Sequence, residues 1–263
     1  MLNKICLPIG LALATLFAPG ANATIVRVQT SLGSFDVNLY DQTTPATVTN
    51  FLTYVNSNAY NNAVFHRMVS GFVAQTGGFT YQGTTTLGSV VQNAAVTNEP
   101  RYSNVRGTIA LAKLSGNANS ATNQWFINLG NNSANLDVQN GGFTVFGQVV
   151  GNGMTVVDAI SALQTFNFGG AFDAIPLRNY TAQNATDGVV VTDQHLVIVS
   201  AITVVDAAAN TAANLSPVAN TLLNPVPTAP TGGGSSGGGG TMGLLSVLLL
   251  GLMAILRRRQ PAQ

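Results

Sequence analysis

One pattern recurs along this chain from Thr24 to Asp206: short runs of alternating apolar and polar residues, cut by turns rich in Gly, Asn and Ser. Ile25, Val26 and Val28 lie in the first run, and Phe35, Val37 and Leu39 in the second. Ser31-Leu32-Gly33 forms the turn between them, so the pair reads as a hairpin. Residues 63–75 read as two short strands broken at Ser70-Gly71. Further strands are expected over 107–112, 124–129, 144–150 and 195–205. Two stretches carry helical spacing instead. Thr44 reads as an N-cap with Pro45 in the first helical position, and Val48, Phe51, Leu52 and Val55 follow at i, i+3, i+4 and i+7. Residues 154–163 repeat that spacing with Val156, Val157, Ile160 and Leu163. Many short strands leave many exposed edges, and closing the sheet on itself removes them. The expected fold is therefore mainly β, a closed antiparallel barrel with the two helices over its open ends.

The ends of the chain stand outside that pattern. Lys4, an apolar run over 5–17 and the small-residue site Ala21-Asn22-Ala23 read as a secretory signal over residues 1–23, removed by signal peptidase to leave Thr24 first. Cys6 is the only cysteine and leaves with that signal, so no thiol, disulfide or cysteine metal ligand is expected in the mature protein. Residues 207–231 read as a linker rich in Pro, Ala, Asn and Thr, and 232–240 as a flexible Gly/Ser tract. The apolar run 242–256 is short for a span of about 20 residues. Arg257-Arg258-Arg259 would hold its end on the cytoplasmic side. This order over 232–263 resembles the GlyGly-type C-terminal sorting tail of Gram-negative bacteria. The resemblance implies membrane contact before processing, cleavage by a rhomboid-like protease, and surface attachment or release. A plain membrane anchor is the alternative. Either way the chain is expected outside the cytoplasm, in the periplasm or outer envelope.

Only 7% of the residues are charged, against roughly 25% in ordinary soluble domains. Solubility is then expected to rest on the many Asn, Thr, Ser and Gln residues. Between Thr24 and Thr231 six basic residues face nine acids without forming a basic stripe, which argues against a nucleic-acid partner.

In so weakly charged a body, an arginine inside the apolar strand Val64-Phe65-His66-Arg67-Met68-Val69 needs a reason. Regular alternation would put Phe65, Arg67 and Val69 on one side, with Val64, His66 and Met68 on the other. A buried guanidinium is costly unless its donors find partners. On the residues alone two readings stand: a structural arginine paired with an acid or carbonyls, or a fixed cationic donor on the floor of a groove. His66 and His195, without converging acids, are weak evidence for a metal, and neither metal nor cofactor is expected.

Several blocks then occur in a recognisable order. Residues 65–80 run FHRMVSGFVAQTGGFT, 107–113 run GTIALAK, 120–128 run SATNQWFIN, Asn135-Leu136-Asp137 follows, and 143–149 run FTVFGQV. With Pro45-Ala46-Thr47-Val48-Thr49-Asn50-Phe51 before them, these blocks resemble the cyclophilin-type peptidyl-prolyl cis-trans isomerases, most closely the bacterial periplasmic form. The resemblance covers nearly all of residues 24–205 and implies an eight-stranded antiparallel barrel capped by two helices. It also implies an enzyme that rotates X–Pro amides in proline-containing polypeptide segments.

Carried over by position, Arg67 would donate to the prolyl nitrogen, and Gln75 would orient Arg67 and touch the substrate. Phe72, Val73, Phe126, Leu136 and Phe143 would wall the proline pocket, with Ala112, Lys113 and Gln124 along the groove. His66 would be structural, because bond rotation transfers no proton. Asn135 stands where many eukaryotic members carry tryptophan, which puts high affinity for cyclosporin in doubt. Trp125 replaces a phenylalanine and is expected to pack inward. Residues 164–194 match the family pattern poorly.

Overall fold

The computed structural model describes residues 24–83, 86–208, 211–212 and 214–223. Residues 1–23, read as a secretory signal, lie outside the described residues, as do the Gly/Ser tract, the apolar run and the arginine cluster. Among those described, no helix is long and apolar enough to cross a membrane.

The first half of the chain gives strands β1 (Ile25–Thr30) and β2 (Gly33–Leu39), helix α1 (Pro45–Asn56), and strands β3 (Ala63–Val64), β4 (Arg67–Val69), β5 (Val73–Thr76), β6 (Phe79–Thr80) and β7 (Gly88–Ser89). The second half gives β8 (Thr108–Leu111), β9 (Trp125–Asn128), α2 (Ser133–Leu136), β10 (Val145–Val150), α3 (Gly153–Ser161), β11 (Thr165–Phe166), β12 (Ile175–Pro176), α4 (Ala182–Thr186) and β13 (Ile198–Asp206). All ladders are antiparallel. The main sheet runs β4-β5-β9-β8-β10-β2-β1-β13-β3-β6-β7. This is an open order of eleven strands, where the sequence led us to expect a closed ring of eight. The extra members come from two-residue ladders, β6 and β7, and from a break at Phe65-His66 that splits one expected strand into β3 and β4.

That break also resets the side-chain alternation. β3 pairs with β13, whereas β4 pairs with β5. The Phe65 N–H still donates to Val197 O at 3.0 Å, and the His66 N–H to Gln75 O at 3.1 Å. The chain changes partners between two neighbouring residues. Phe65 and Met68 consequently share the main core, contrary to regular alternation, and Arg67 faces away from it. The strand twice presents its opposite face without a slip of register in either ladder.

One face of the sheet wraps a single core. Val26, Val37, Ile109, Ile127, Phe146 and Val199 from six strands belong to one buried cluster, which requires the sheet to curl around it. Trp125 packs inward as expected, with rings of Phe51, Tyr60 and Phe65 edge-on at 5.8, 6.5 and 6.4 Å. Helix α1 adds Val48, Phe51 and Val55, and α3 adds Val157 and Ile160. Thr44 precedes α1, but its hydroxyl donates back to Tyr40 O at 3.2 Å. The cap comes from a distance: the Glu99 carboxylate accepts the Thr47 N–H at 2.9 Å and the Ala46 N–H at 3.3 Å.

Two segments outside the recognisable blocks also join the body. Ile175, Leu177 and Tyr180 form a separate apolar cluster with Val64 and Leu196. Residues 214–223, read as linker, lie along 101–103: Ser103 N–H donates to Val218 O at 2.8 Å and Asn220 N–H to Arg101 O at 2.9 Å.

Candidate active site

The opposite face of the same strands carries the site. Register alone aligns a row across five strands: Arg67 with Gln75, Gln75 with Phe126, Phe126 with Ala110, and Ala110 with Val145. Each residue of this row alternates with core residues on its own strand: Ala74 flanks Gln75, Trp125 and Ile127 flank Phe126, and Ile109 and Leu111 flank Ala110. Val73, Ala112, Phe126, Leu136 and Phe143 gather in a second apolar cluster, with Phe72 packed against it. The Phe126 and Phe143 rings meet edge-on at 5.8 Å. All six residues read from the sequence as apolar groove lining therefore come together beside Arg67's row.

Arg67 is partly buried, with 18% of its side chain exposed. Its Nε lies 3.4 Å from Oδ1 of Asp173, whose side chain is 52% exposed. Gln75 stands beside Arg67 in the ladder, but its Nε2 donates to Oε1 of Gln124 at 2.8 Å. No hydrogen bond joins Gln75 to Arg67, whose ion-pair partner is Asp173, an acid from the stretch that matched the family poorly. Gln75 and Gln124 form a joined polar edge along the groove.

His66 is buried against the Phe79 ring at 4.9 Å. Burial pushes its pKa down to about 4, and the Arg67 charge acts in the same direction. It is neutral at pH 7, as a structural histidine beside a cation should be. Lys113 does not present its charge to the groove. Its Nζ donates to Asn140 O at 2.8 Å and Gly142 O at 2.6 Å and sits 4.7 Å from the centre of the Phe143 ring. Burial pushes its pKa down to about 8. The residue read as substrate-binding instead ties down the loop that delivers Phe143. Gly142 in that loop has φ of 74°, and a Cβ there would meet Asp137 O at 2.6 Å, so the loop needs glycine.

A buried polar network behind the apolar wall holds its members in place. Asn132 Nδ2 donates to Phe72 O at 2.8 Å and to Asn128 Oδ1 at 2.7 Å. Asn128 Nδ2 donates to Thr108 Oγ1 at 2.9 Å, and Asn104 Nδ2 to Asp137 Oδ1 at 3.0 Å and Phe143 O at 3.2 Å. Asp137 Oδ2 alone of these atoms is left without a partner; the remaining bonds tie Phe72, Thr108 and Phe143 into one buried network. From the tail, Asn220 Nδ2 donates to Asp137 O at 2.9 Å. Sequence reasoning missed Asn104, Asn128, Asn132, Asn220 and Asp173. An asparagine without a neighbouring motif gives no sign of burial.

A separate cleft of about 310 Å³ between Arg106, Gln148, Met154 and Pro217 shares none of the groove residues. Among the described residues, no group of three or more His, Cys, Asp or Glu side chains converges as a metal site would require.

The curled antiparallel sheet thus sets Arg67 beside a cluster of apolar and aromatic side chains. Comparisons with known proteins give the family. Residues 25–186 match the family model described as cyclophilin type peptidyl-prolyl cis-trans isomerase/CLD. The chain is 40% identical over 178 residues to peptidyl-prolyl cis-trans isomerase A of Dickeya dadantii, covering 65% of this chain and 90% of that protein. It is 38% identical over 172 residues to a peptidyl-prolyl cis-trans isomerase of Acinetobacter baylyi, covering 64% and 87%. In fold it resembles a cyclophilin-type isomerase of Cryptosporidium parvum, with a TM-score of 0.51, 20% identity, and 70% and 98% of the two chains covered. The chain belongs to the cyclophilin-type peptidyl-prolyl cis-trans isomerases, and rotation about X–Pro amides is the enzyme activity that membership assigns to it.

Proposed function

We propose that this chain assists the folding of exported proteins by rotating X–Pro bonds, with Arg67 as the acting donor. The carrying observation is the in-register row that sets Arg67 and Gln75 beside Phe126 and its apolar cluster. Amide rotation faces a barrier of about 20 kcal/mol because the nitrogen lone pair is delocalised. The two planar ends are close in energy for X–Pro, so only the rate needs help. In the twisted state the lone pair returns to nitrogen and can accept a hydrogen bond that neither planar form accepts. A guanidinium placed there binds the transition state more strongly than substrate or product. One charge-assisted hydrogen bond is worth about 1.5–3 kcal/mol, or roughly one to two powers of ten in rate. Burial of the proline ring against Phe126, Leu136 and Phe143 fixes the pivot. No bond to the enzyme forms and no proton moves.

The substrate class is a proline-containing segment of unfolded or exposed chain. A relative of similar fold from Cryptosporidium parvum, at a TM-score of 0.50, was solved in the presence of the dipeptide Ala-Pro. We read the sheet as a barrel of eight strands, counting 63–69 as one bent strand and leaving out the two-residue β6 and β7. In support, Phe65 and His66 hand the chain from Val197 on the β13 side to Gln75 on β5.

The sequence of the two ends supports delivery to the periplasm or outer envelope by signal peptidase. The tail supports a brief membrane stage and release or display by a rhomboid-like protease. Intact mass of the native protein from separated envelope and medium fractions tests this, since both ends should be absent. A chain of full mass in every fraction overturns it. For the reaction, kcat for a proline peptide should stay constant from about pH 6 to 9 while the fold holds, since bond rotation transfers no proton. A bell-shaped profile would point to a titrating group instead.

A further inference from the structure

We propose that Asp173 is the residue that positions Arg67 for the rotation step. This rests on Arg67 being the acting donor. An arginine side chain carries roughly 2 kcal/mol of rotamer entropy, and a donor that wanders over several rotamers cannot be aimed at one nitrogen. Gln75 makes no hydrogen bond to it; its Nε2 donates instead to Gln124 Oε1 at 2.8 Å. Asp173 reaches Arg67 through Nε, at 3.4 Å. The carboxylate therefore takes one edge of the planar fork, leaving the terminal amino groups for a peptide.

The placement of Asp173 is built rather than incidental. Its two chain neighbours are fastened to the two chain neighbours of Arg67. On one side, the Phe172 ring lies 4.8 Å from Phe79, whose ring lies 4.9 Å from His66. On the other, Ala174 O accepts the Met68 N–H at 2.8 Å. The two segments are joined before and after the ion pair, so the carboxylate and guanidinium are held opposite one another by backbone and rings. A pair between two free surface side chains would lack that support.

The pair also has a consequence for charge. Together Arg67 and Asp173 are neutral, so the donor is present without a bare cation at the mouth of the groove. Such a site takes uncharged proline segments without drawing anions to the arginine.

The test is a double-mutant cycle on the full mature chain, read as kcat and KM for a proline tetrapeptide. Asp173→Ala and Asp173→Asn should each lower kcat about three- to tenfold with KM within about twofold, since binding by the apolar pocket is untouched. The Asn variant keeps the shape and removes the charge. In an Arg67→Ala background, Asp173→Ala should change nothing further. The Arg67 Nε–H chemical shift in NMR should move between the parent, where the Asp173 carboxylate lies 3.4 Å from Nε, and Asp173→Ala. Parent kcat in both Asp173 variants, or an equal loss with and without Arg67, overturns the proposal. If Arg67→Ala itself keeps the parent rate, it is instead the assignment of Arg67 that falls.

Discussion

Acidification should weaken this fold through His66 well before its carboxylates are protonated. In the unfolded chain His66 titrates at its ordinary 6.5, but in the folded protein burial holds it at about 4. Between those values the unfolded chain binds a proton that the folded chain refuses. The stabilisation is therefore complete above pH 6.5 and is lost as pH falls toward 4. At about 1.4 kcal/mol per pH unit the whole gap is worth roughly 3 kcal/mol, of which about 2 kcal/mol should go between pH 7 and pH 5. Asp36 does not intrude on that window. The side-chain hydrogen bond from Arg27 lowers it below the usual carboxylate value, so its effect appears only in stronger acid. Urea unfolding followed by fluorescence of Trp125, the only tryptophan and a core residue, gives the stability at each pH. His66→Phe keeps a ring against Phe79 and removes the titrating group. The parent should lose about 2 kcal/mol between pH 7 and 5 and the variant much less. Parallel losses in both would refute the assignment of the effect to His66.

Lys113→Met should cost about 2 kcal/mol, because two buried carbonyls lose a charge-assisted donor, and should raise KM by loosening Phe143; urea midpoints and peptide kinetics read both. An unchanged KM would show that the Asn140–Gly142 loop does not control the pocket. A chain ending at Leu223 should match the stability of one with the whole tail, whereas one ending at Asp206 should melt several degrees lower. The shorter chain loses the hydrogen bonds of Val218 and Asn220 to 101–103 and Asp137. Equal melting temperatures would make residues 214–223 dispensable.

Alternation made β1, β2, β8 and β9 legible because each of these strands places core residues on alternate positions. The same rule failed at Phe65-His66, where the chain leaves the distant strand β13 for its near neighbour β5. The short ladders β6, β7, β11 and β12 carry two residues each, too few for any period to show. The clustering of Phe72, Phe126, Leu136 and Phe143 was readable because they fall in ordered motif blocks. Asp173 was not, since only folding brings it to Arg67. Asparagines misled in a different way. Composition suggested that they solubilise the surface, but Asn104, Asn123 and Asn128 are buried and partnered. Lys113 misled by position: read as lying along the groove, it turns its ammonium on a long stem into the Asn140–Gly142 loop.

The central claim is that Arg67 accelerates X–Pro rotation by bonding to the twisted amide and not by gripping the ground state. Two-dimensional exchange NMR on a proline tetrapeptide measures both quantities at equilibrium, with line broadening giving binding and exchange peaks giving rotation. The mature chain should produce strong exchange peaks at catalytic concentration. Arg67→Ala should remain folded, bind the peptide within a few-fold of the parent, and lose about tenfold or more of the exchange rate. An Arg67→Ala protein that binds and exchanges at the parent rate would contradict the account.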